Sequence, residues 1–473
     1  MKRFISLLLA GIMLLGALFG CAESDDDDGK NMEITTSDDT DVVSAYPTHP
    51  EWEQTDFHFL TDNGYNAERH FIDKEQDGDP IVAKSVYRTL YVEESYNINM
   101  VLHESDQLVN LIRNDLAAGG GSYDMIFPHP TAGITSLMLE GCLSNILDYS
   151  SVLSLDEEWY NTSQIANYTI NDKLYLVTSD YSILGQGFTG IVYNKELYDS
   201  YKFDLDLYDI VDNGDWTYET MLTLLKPFDS PTDNPDSKTY GLALHEGYLY
   251  EWSFAFGETI LVRNSGGEYE IGFNNTRLTD IAEKVYDLCW SNNAVVRGTA
   301  INATFPDSVM FTTFKAGRAL MITFAVGGLY NLLRDIKFDI GILPTPKWDA
   351  EQEDYRVMCA SGFLAIPAAA KDGEKSAIIL EILSRVSYRD MRPAYFENIL
   401  LGRLSNSEND YRMLELMHSK KSYDLGVTLD EDSIVRYTLS NVVVTAQSKN
   451  IPGYLRQKKN SFDALVELAN SLN

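Results

Sequence analysis

The chain opens on Lys2 and Arg3, followed by an apolar run without charge from Phe4 to Gly20. A membrane-spanning helix needs about 20 apolar residues, so this run is short for one. Its basic start and its close on a small residue describe a secretory signal over 1–20. From Ala22 to about Pro50 the apolar positions thin out and Asp, Ser and Thr dominate. Too little can be buried there to offset the entropy of ordering, so 21–50 is expected to be a disordered acidic tether. A flexible chain of that length reaches about 30 Å. Beyond it, two periodicities alternate. "DFHFL" at 56–60 reads as a buried strand, while Val82, Val86 and Leu90 recur at the helical interval and mark one helix face. "INMVL" at 98–102 is strand-like, Asp106 to Ala118 is helical and stops at glycines 119–121, and "DMIF" at 124–127 is again a strand. Such alternation predicts α/β layers with largely parallel strands. About 420 residues follow the tether, too many for one ordinary core, so two lobes are expected.

Composition narrows the partners. The chain carries 71 acidic and 37 basic side chains, a formal charge of −34. A surface so acidic repels nucleic-acid phosphates and anionic lipid headgroups, so neither is an expected partner. Cys21 stands directly after the apolar run, where a small-residue cut is expected. The remaining cysteines, Cys142, Cys289 and Cys359, cannot all pair and fit no zinc spacing. Each reads as a small buried apolar residue. No segment past the signal is apolar and long enough to span a bilayer.

Chemical motifs are mostly missing. The chain has no G-x-S-x-G, no H-E-x-x-H and no Walker loop, and its seven histidines show no ligand spacing. No cofactor or metal is expected from sequence. "GQGFTG" at 185–190 matches G-x-G-x-x-G but runs into the strand-like "IVYNK", whereas a dinucleotide loop must open a helix. It reads as a flexible turn. "DSPTDNPDSKTYG" at 229–241 lacks the core of a calcium loop and reads as turn chemistry. Aromatic residues make up 12%, with 29 tyrosines, enough for cores and also for faces that stack on sugar rings.

Several stretches carry a family resemblance. "FTTFKAGRALMITFAVGGLYNL" followed by "FDIGILPTPK" supplies Phe314, Gly317, Arg318, Ala319 and Met321, then Pro344 and Pro346. "IVYNKELYD" at 191–199, "GDWTYETM" at 214–221 and "GFLAIPAAAKDGEKSAIILEILS" at 362–384 fall in the matching order. Together they resemble the family 1 extracellular solute-binding proteins of ABC importers, over roughly Asp56 to Asn473. "DPIVAKSVYRTLYVEESYN" resembles a lipoprotein branch of that family, and "LFGC" resembles a bacterial lipobox with Cys21 as the lipidated first residue. The resemblance implies a two-lobe periplasmic-binding-protein-like fold of type II, with several hinge crossings. Lobe 1 is expected at 51–180 and 340–380, lobe 2 at 181–339 and 381–473, with the Pro344–Pro346 stretch crossing between them. Packing roles compete at several of these positions. Trp216 reads as core beside an N-cap at Thr217, Phe314 and Met321 as core, Gly317 as a close turn and Arg318 as a surface pairing.

The resemblance also points to a cleft where loops leave the strand ends. It implies ligand contacts at Asp62 and Asn63 in "TDNGYN", His129 and Thr131 in "PHPT", and Glu246, Tyr248 and Trp252 in "HEGYLYEW". Phe324 in "TFAVGG" and Tyr437 in "VRYTL" complete the set. The function implied is that of a non-enzymatic, lipid-anchored extracellular protein, monomeric, that captures an oligosaccharide and delivers it to an ABC importer permease. It would sit on the outer face of the cell membrane through its anchor alone. Two other readings stay open. One is a lipid-anchored glycoside hydrolase, since two carboxylates at a suitable separation suffice. The other is a receptor for peptide or for signalling.

Overall fold

The computed structural model describes residues 49–62, 80–129, 133–185, 187–298, 309–325, 336–360, 362–401 and 408–472. The signal, Cys21 and nearly all of the tether therefore lie outside the described residues, as do Asn63 and Thr131.

A first sheet forms from β1 (Asp56–Thr61), β2 (Asn99–Glu104) and β3 (Met125–Phe127) in the order β2-β1-β3, all parallel. Phe57, Phe59 and Leu60 of the central strand are fully buried. The helix Leu108–Ala117 carries the chain from β2 to β3, the crossover that a parallel connection requires. It ends at Gly119–Gly121, all with positive φ. At Gly120 a side chain would also come 2.5 Å from the Ala369 Cβ, so glycine is needed there twice over.

The helix Pro80–Tyr96 turns a different face inward from the one its apolar spacing suggests. Ile81, Ser85, Arg88, Thr89, Val92 and Tyr96 are buried with Val86, whereas Leu90 is 43% exposed. Arg88 explains the rotation. Its Nη1 donates to the Tyr181 carbonyl at 3.2 Å and to Ser387 Oγ at 2.8 Å, and its guanidinium lies 4.0 Å over the Tyr181 ring. A buried cation with those partners outweighs the burial of one leucine.

A second, larger sheet contains β4 (Gly187–Asn194), β5 (Tyr240–His245), β8 (Val295–Gly298), β9 (Ala319–Ala325), β10 (Ile340–Pro344), β11 (Val357–Ala360) and β12 (Lys421–Ser422). The hairpin of β6 (Leu261–Arg263) and β7 (Tyr269–Ile271) stands apart from it. Strand β5 is parallel to β8 and β9, while β4 runs antiparallel to β9, β10 and β11. The expected parallel order thus holds throughout the first sheet and only partly in the second. β4 occupies part of "GQGFTG" and opens no helix there, which removes the dinucleotide reading.

The chain joins the two sheets repeatedly. Val177 bridges Leu364, and Ile126 and Leu143 bridge Ala365 and Pro367. Residues 340–380, expected together in lobe 1, divide between the sheets: Ile340–Pro344 pairs with β4, and 364–367 return to the first sheet. The Pro344–Pro346 stretch is not a crossing. Trp216 Nε1 donates to the Pro344 carbonyl at 2.8 Å, Lys347 N–H donates to the Trp216 carbonyl at 3.0 Å, and Trp348 stacks on Tyr218. Those bonds hold it within the larger half. The helix Gly373–Val386 packs against Pro80–Tyr96, on the side of the first sheet.

Local expectations fare well. Trp216, Phe314 and Met321 are fully buried, and Thr217 accepts from the Thr220 N–H as an N-cap. Gly317 has φ +71°, the turn conformation that its place in the motif suggests. Arg318 donates to the Pro235 and Lys238 carbonyls. Cys142, Cys289 and Cys359 are buried, as small apolar residues would be. Among the described residues no helix is long and apolar enough to cross a membrane.

Candidate functional site

Parallel strands deliver their loops to one edge, and the first sheet places Asp62 directly after β1 and His129 shortly after β3. The two meet: Asp62 Oδ2 accepts from the His129 N–H at 2.8 Å. Beneath them, Thr61 Oγ1 donates to the Phe127 carbonyl at 3.2 Å and ties the strand ends together. Burial pushes the His129 imidazole below its ordinary pKa, Asp62 works against that, and Arg436 reinforces it. His129 is therefore neutral at pH 7, with Arg436 within electrostatic reach.

Arg436 comes from the far end of the chain. Its guanidinium lies 5.3 Å over the Tyr437 ring, and it donates to Ser433 Oγ, while its Nε has no hydrogen-bond partner among the described residues. Tyr437 meets Tyr250 edge-on at 5.0 Å. Next to Tyr250, the Glu251 carboxyl is pushed up to about 8 by burial, against the opposing hydrogen bonds of Thr189 and Tyr250. Its Oε2 has no hydrogen-bond partner among the described residues. Glu251 is thus a neutral acid at pH 7, able to donate as well as accept.

The carboxyl ends of β5 and β8 bring a second group. Glu246 Oε1 lies 2.6 Å from Arg297 Nη1, and the Arg297 guanidinium covers the Trp290 ring at 3.8 Å. His245 is nearly enclosed, its Nδ1 accepts from the Gly247 N–H at 3.0 Å, and burial takes it down to about 4. Tyr248 packs 4.6 Å from the His245 ring. Ser440 Oγ donates to the Glu246 carbonyl at 3.4 Å, which joins this group to the short helix that begins after Tyr437.

Of the residues singled out from sequence, Asp62 and His129 are brought together, and Tyr437, Glu246 and Tyr248 adjoin them through the 436–440 segment. Trp252 is not part of the site. It is 1% exposed and packs against Tyr218 and Phe256 in the core of the larger half, because the helix Leu249–Ala255 turns it inward. Phe324 pairs through its backbone with Gly190. Its side chain is outside the described part, with Asn63 and Thr131. Sequence reasoning missed Arg436, Tyr250, Glu251 and Arg297. Arg436 adjoins Tyr437, and Tyr250 lies two residues from Tyr248, but nothing local says that they meet. Among the described residues no group of three or more His, Cys, Asp or Glu could hold a metal ion.

No family model matches the chain, and no curated protein matches it in sequence. Solved structures do match in fold. The extracellular solute-binding protein from Staphylococcus aureus in complex with maltose is 17% identical, with a TM-score of 0.58, over 87% of this chain and 98% of that one. The GacH receptor of Streptomyces glaucescens, solved unliganded and with acarbose, is 12% identical with a TM-score of 0.56 over 88% and 98%. An ABC substrate-binding protein from Listeria monocytogenes in complex with cycloalternan is 12% identical with a TM-score of 0.55 over 88% and 99%. The chain therefore has the two-lobe α/β fold of these binding proteins, with its candidate site at strand ends of both sheets.

Proposed function

We propose that this protein is a lipid-anchored extracellular solute-binding protein that captures an oligosaccharide and delivers it to an ABC importer, without catalysing a reaction. The observation that carries this reading is the Asp62–His129 contact at the strand ends of the first sheet, with Arg436, which lies over Tyr437 beside the larger sheet, within electrostatic reach of His129. Neutral His129, with tyrosine hydroxyls, offers donors and acceptors suited to sugar hydroxyls. The tyrosine rings offer faces for stacking. Solute touching both sides would favour a closed arrangement of the lobes about the repeated crossings. The structures of similar fold hold maltose, acarbose and cycloalternan, which supports an oligosaccharide as the solute. Cys21 after the apolar run supports the anchor.

A thermal-shift screen of the purified chain against maltose, maltotriose, longer maltodextrins and acarbose tests the solute. A ligand at 100 times its Kd raises unfolding free energy by about 2.7 kcal/mol. A rise with one saccharide and none with peptide mixtures is the expected result. A rise with peptides alone overturns the sugar reading. For the anchor, Cys21→Ala should shift the protein from the membrane fraction into the medium, and membrane retention of a cleaved, unlipidated form counts against it.

A further inference from the structure

Away from the strand ends, His58 and His103 stand side by side on the first sheet. In the parallel register His58 faces Val101 and Leu60 faces His103, so the two histidines sit diagonally on one face of β1 and β2. His58 Nδ1 and His103 Nε2 are 3.0 Å apart, with ring centroids 5.2 Å apart. Both rings are partly exposed, so a solvated ion can reach them. The local surroundings fix the pair. Asp124 Oδ2 accepts from the His58 backbone N–H at 2.7 Å, and the Tyr123 ring meets His103 edge-on at 5.6 Å.

We infer that His58 and His103 form a binding site for a divalent transition cation of the Zn2+ or Cu2+ class, completed by water. Two nitrogen ligands at the usual bond length of about 2.0–2.1 Å stand about 2.9 Å apart at a right angle and about 3.3 Å apart at the tetrahedral angle. The observed separation falls between these values. Imidazole is a ligand of choice for this class, whereas Mg2+ and Ca2+ select oxygen. The hydrogen between the rings moves to a far ring nitrogen by exchange with water, which frees both lone pairs without net loss of a proton. The excess of acidic over basic side chains across the chain raises the local concentration of any cation.

Titration calorimetry of the full chain with ZnCl2, and separately with CuCl2, tests the site. Excess MgCl2 is kept present to occupy oxygen-only sites such as the aspartate run at 25–28. One equivalent should bind, and His58→Gln and His103→Gln should each weaken it at least tenfold while melting near the wild-type temperature. Zn2+ should raise the melting temperature of the wild type and not of the variants. Co2+ added to the wild type should give visible bands of nitrogen coordination, a readout that needs no variant. Equal binding by wild type and the double variant, or Co2+ bands of an all-oxygen shell, would overturn the assignment and leave the two rings as a plain hydrogen-bonded pair.

Discussion

Glu246 and Arg297 face each other at 2.6 Å across the carboxyl ends of β5 and β8. Neither strand end predicts the other, since 51 residues separate them. Burial raises the Glu246 pKa and the facing Arg297 guanidinium opposes that rise, so the cost of burying the carboxyl depends on its partner. Arg297 in turn is fixed over Trp290.

A double-mutant cycle measures that dependence. Glu246→Gln and Arg297→Met should each lower unfolding free energy by about 1.5–3 kcal/mol, the range for hydrogen bonds to charged groups. The double variant should lose less than their sum, with a coupling of about 1–3 kcal/mol. Denaturant unfolding of the four proteins gives the value, and simple additivity would show that the pair is not coupled.

Tyr248 and Trp252 lie four residues apart with opposite expected roles. Trp252→Ala opens a cavity among Tyr218 and Phe256 and should cost about 3–5 kcal/mol of stability, leaving solute affinity of the folded fraction near wild type. Tyr248→Ala should do the reverse, with little loss of stability and about tenfold weaker solute binding. Melting and calorimetry on both variants separate the two.

The Glu251 carboxyl, raised to about 8 mainly by burial, carries a sign that can be worked out. Between its unfolded value and about 8 the folded state holds a proton that the unfolded state has released, so stability falls as pH rises through that range. Glu258, at about 7, and Asp424, at about 6, act in the same direction, with burial as the main cause for each. His418, held near 4 chiefly by burial, acts oppositely and costs stability as pH falls below about 6.5. Glu251→Gln removes one alkaline contribution. Its stability relative to wild type should therefore grow from pH 5 to pH 8, at up to about 1.4 kcal/mol per unit. Urea midpoints at the two pH values check this, and a constant difference would place the proton elsewhere.

Thr217 caps the helix Tyr218–Leu225 by accepting from the Thr220 N–H at 3.2 Å. Thr217→Ala should cost about 1 kcal/mol and Thr217→Ser should restore most of it, measured by thermal unfolding. An equal loss in both would mean that the methyl group matters rather than the cap.

Local chemistry explains what was legible in the sequence alone. The strands at 56–61, 99–104 and 125–127, the helix 108–117 with its glycine stop, the cap at Thr217 and the buried Trp216, Phe314 and Met321 lie close to where pattern places them. Each rests on spacing, capping or side-chain size within about ten residues, and such signals survive in one dimension. The α/β class followed from their alternation.

Contacts between distant parts of the chain decided the rest. Which face of the helix Pro80–Tyr96 turns inward depended on Arg88 finding Tyr181 and Ser387, partners 93 and 299 residues away. Trp252 became core, although its neighbours in sequence adjoin the site, because one helical turn rotates it toward Tyr218 and Phe256. The Pro344–Pro346 stretch stayed in the larger half because Trp216 binds it there. Arg436 reached the neighbourhood of His129, and His58 found His103, only through the assembled sheets. A periodic pattern records how much of a segment is buried. It does not record against what, because charge, hydrogen bonding and packing between distant residues are settled only when the chain closes on itself.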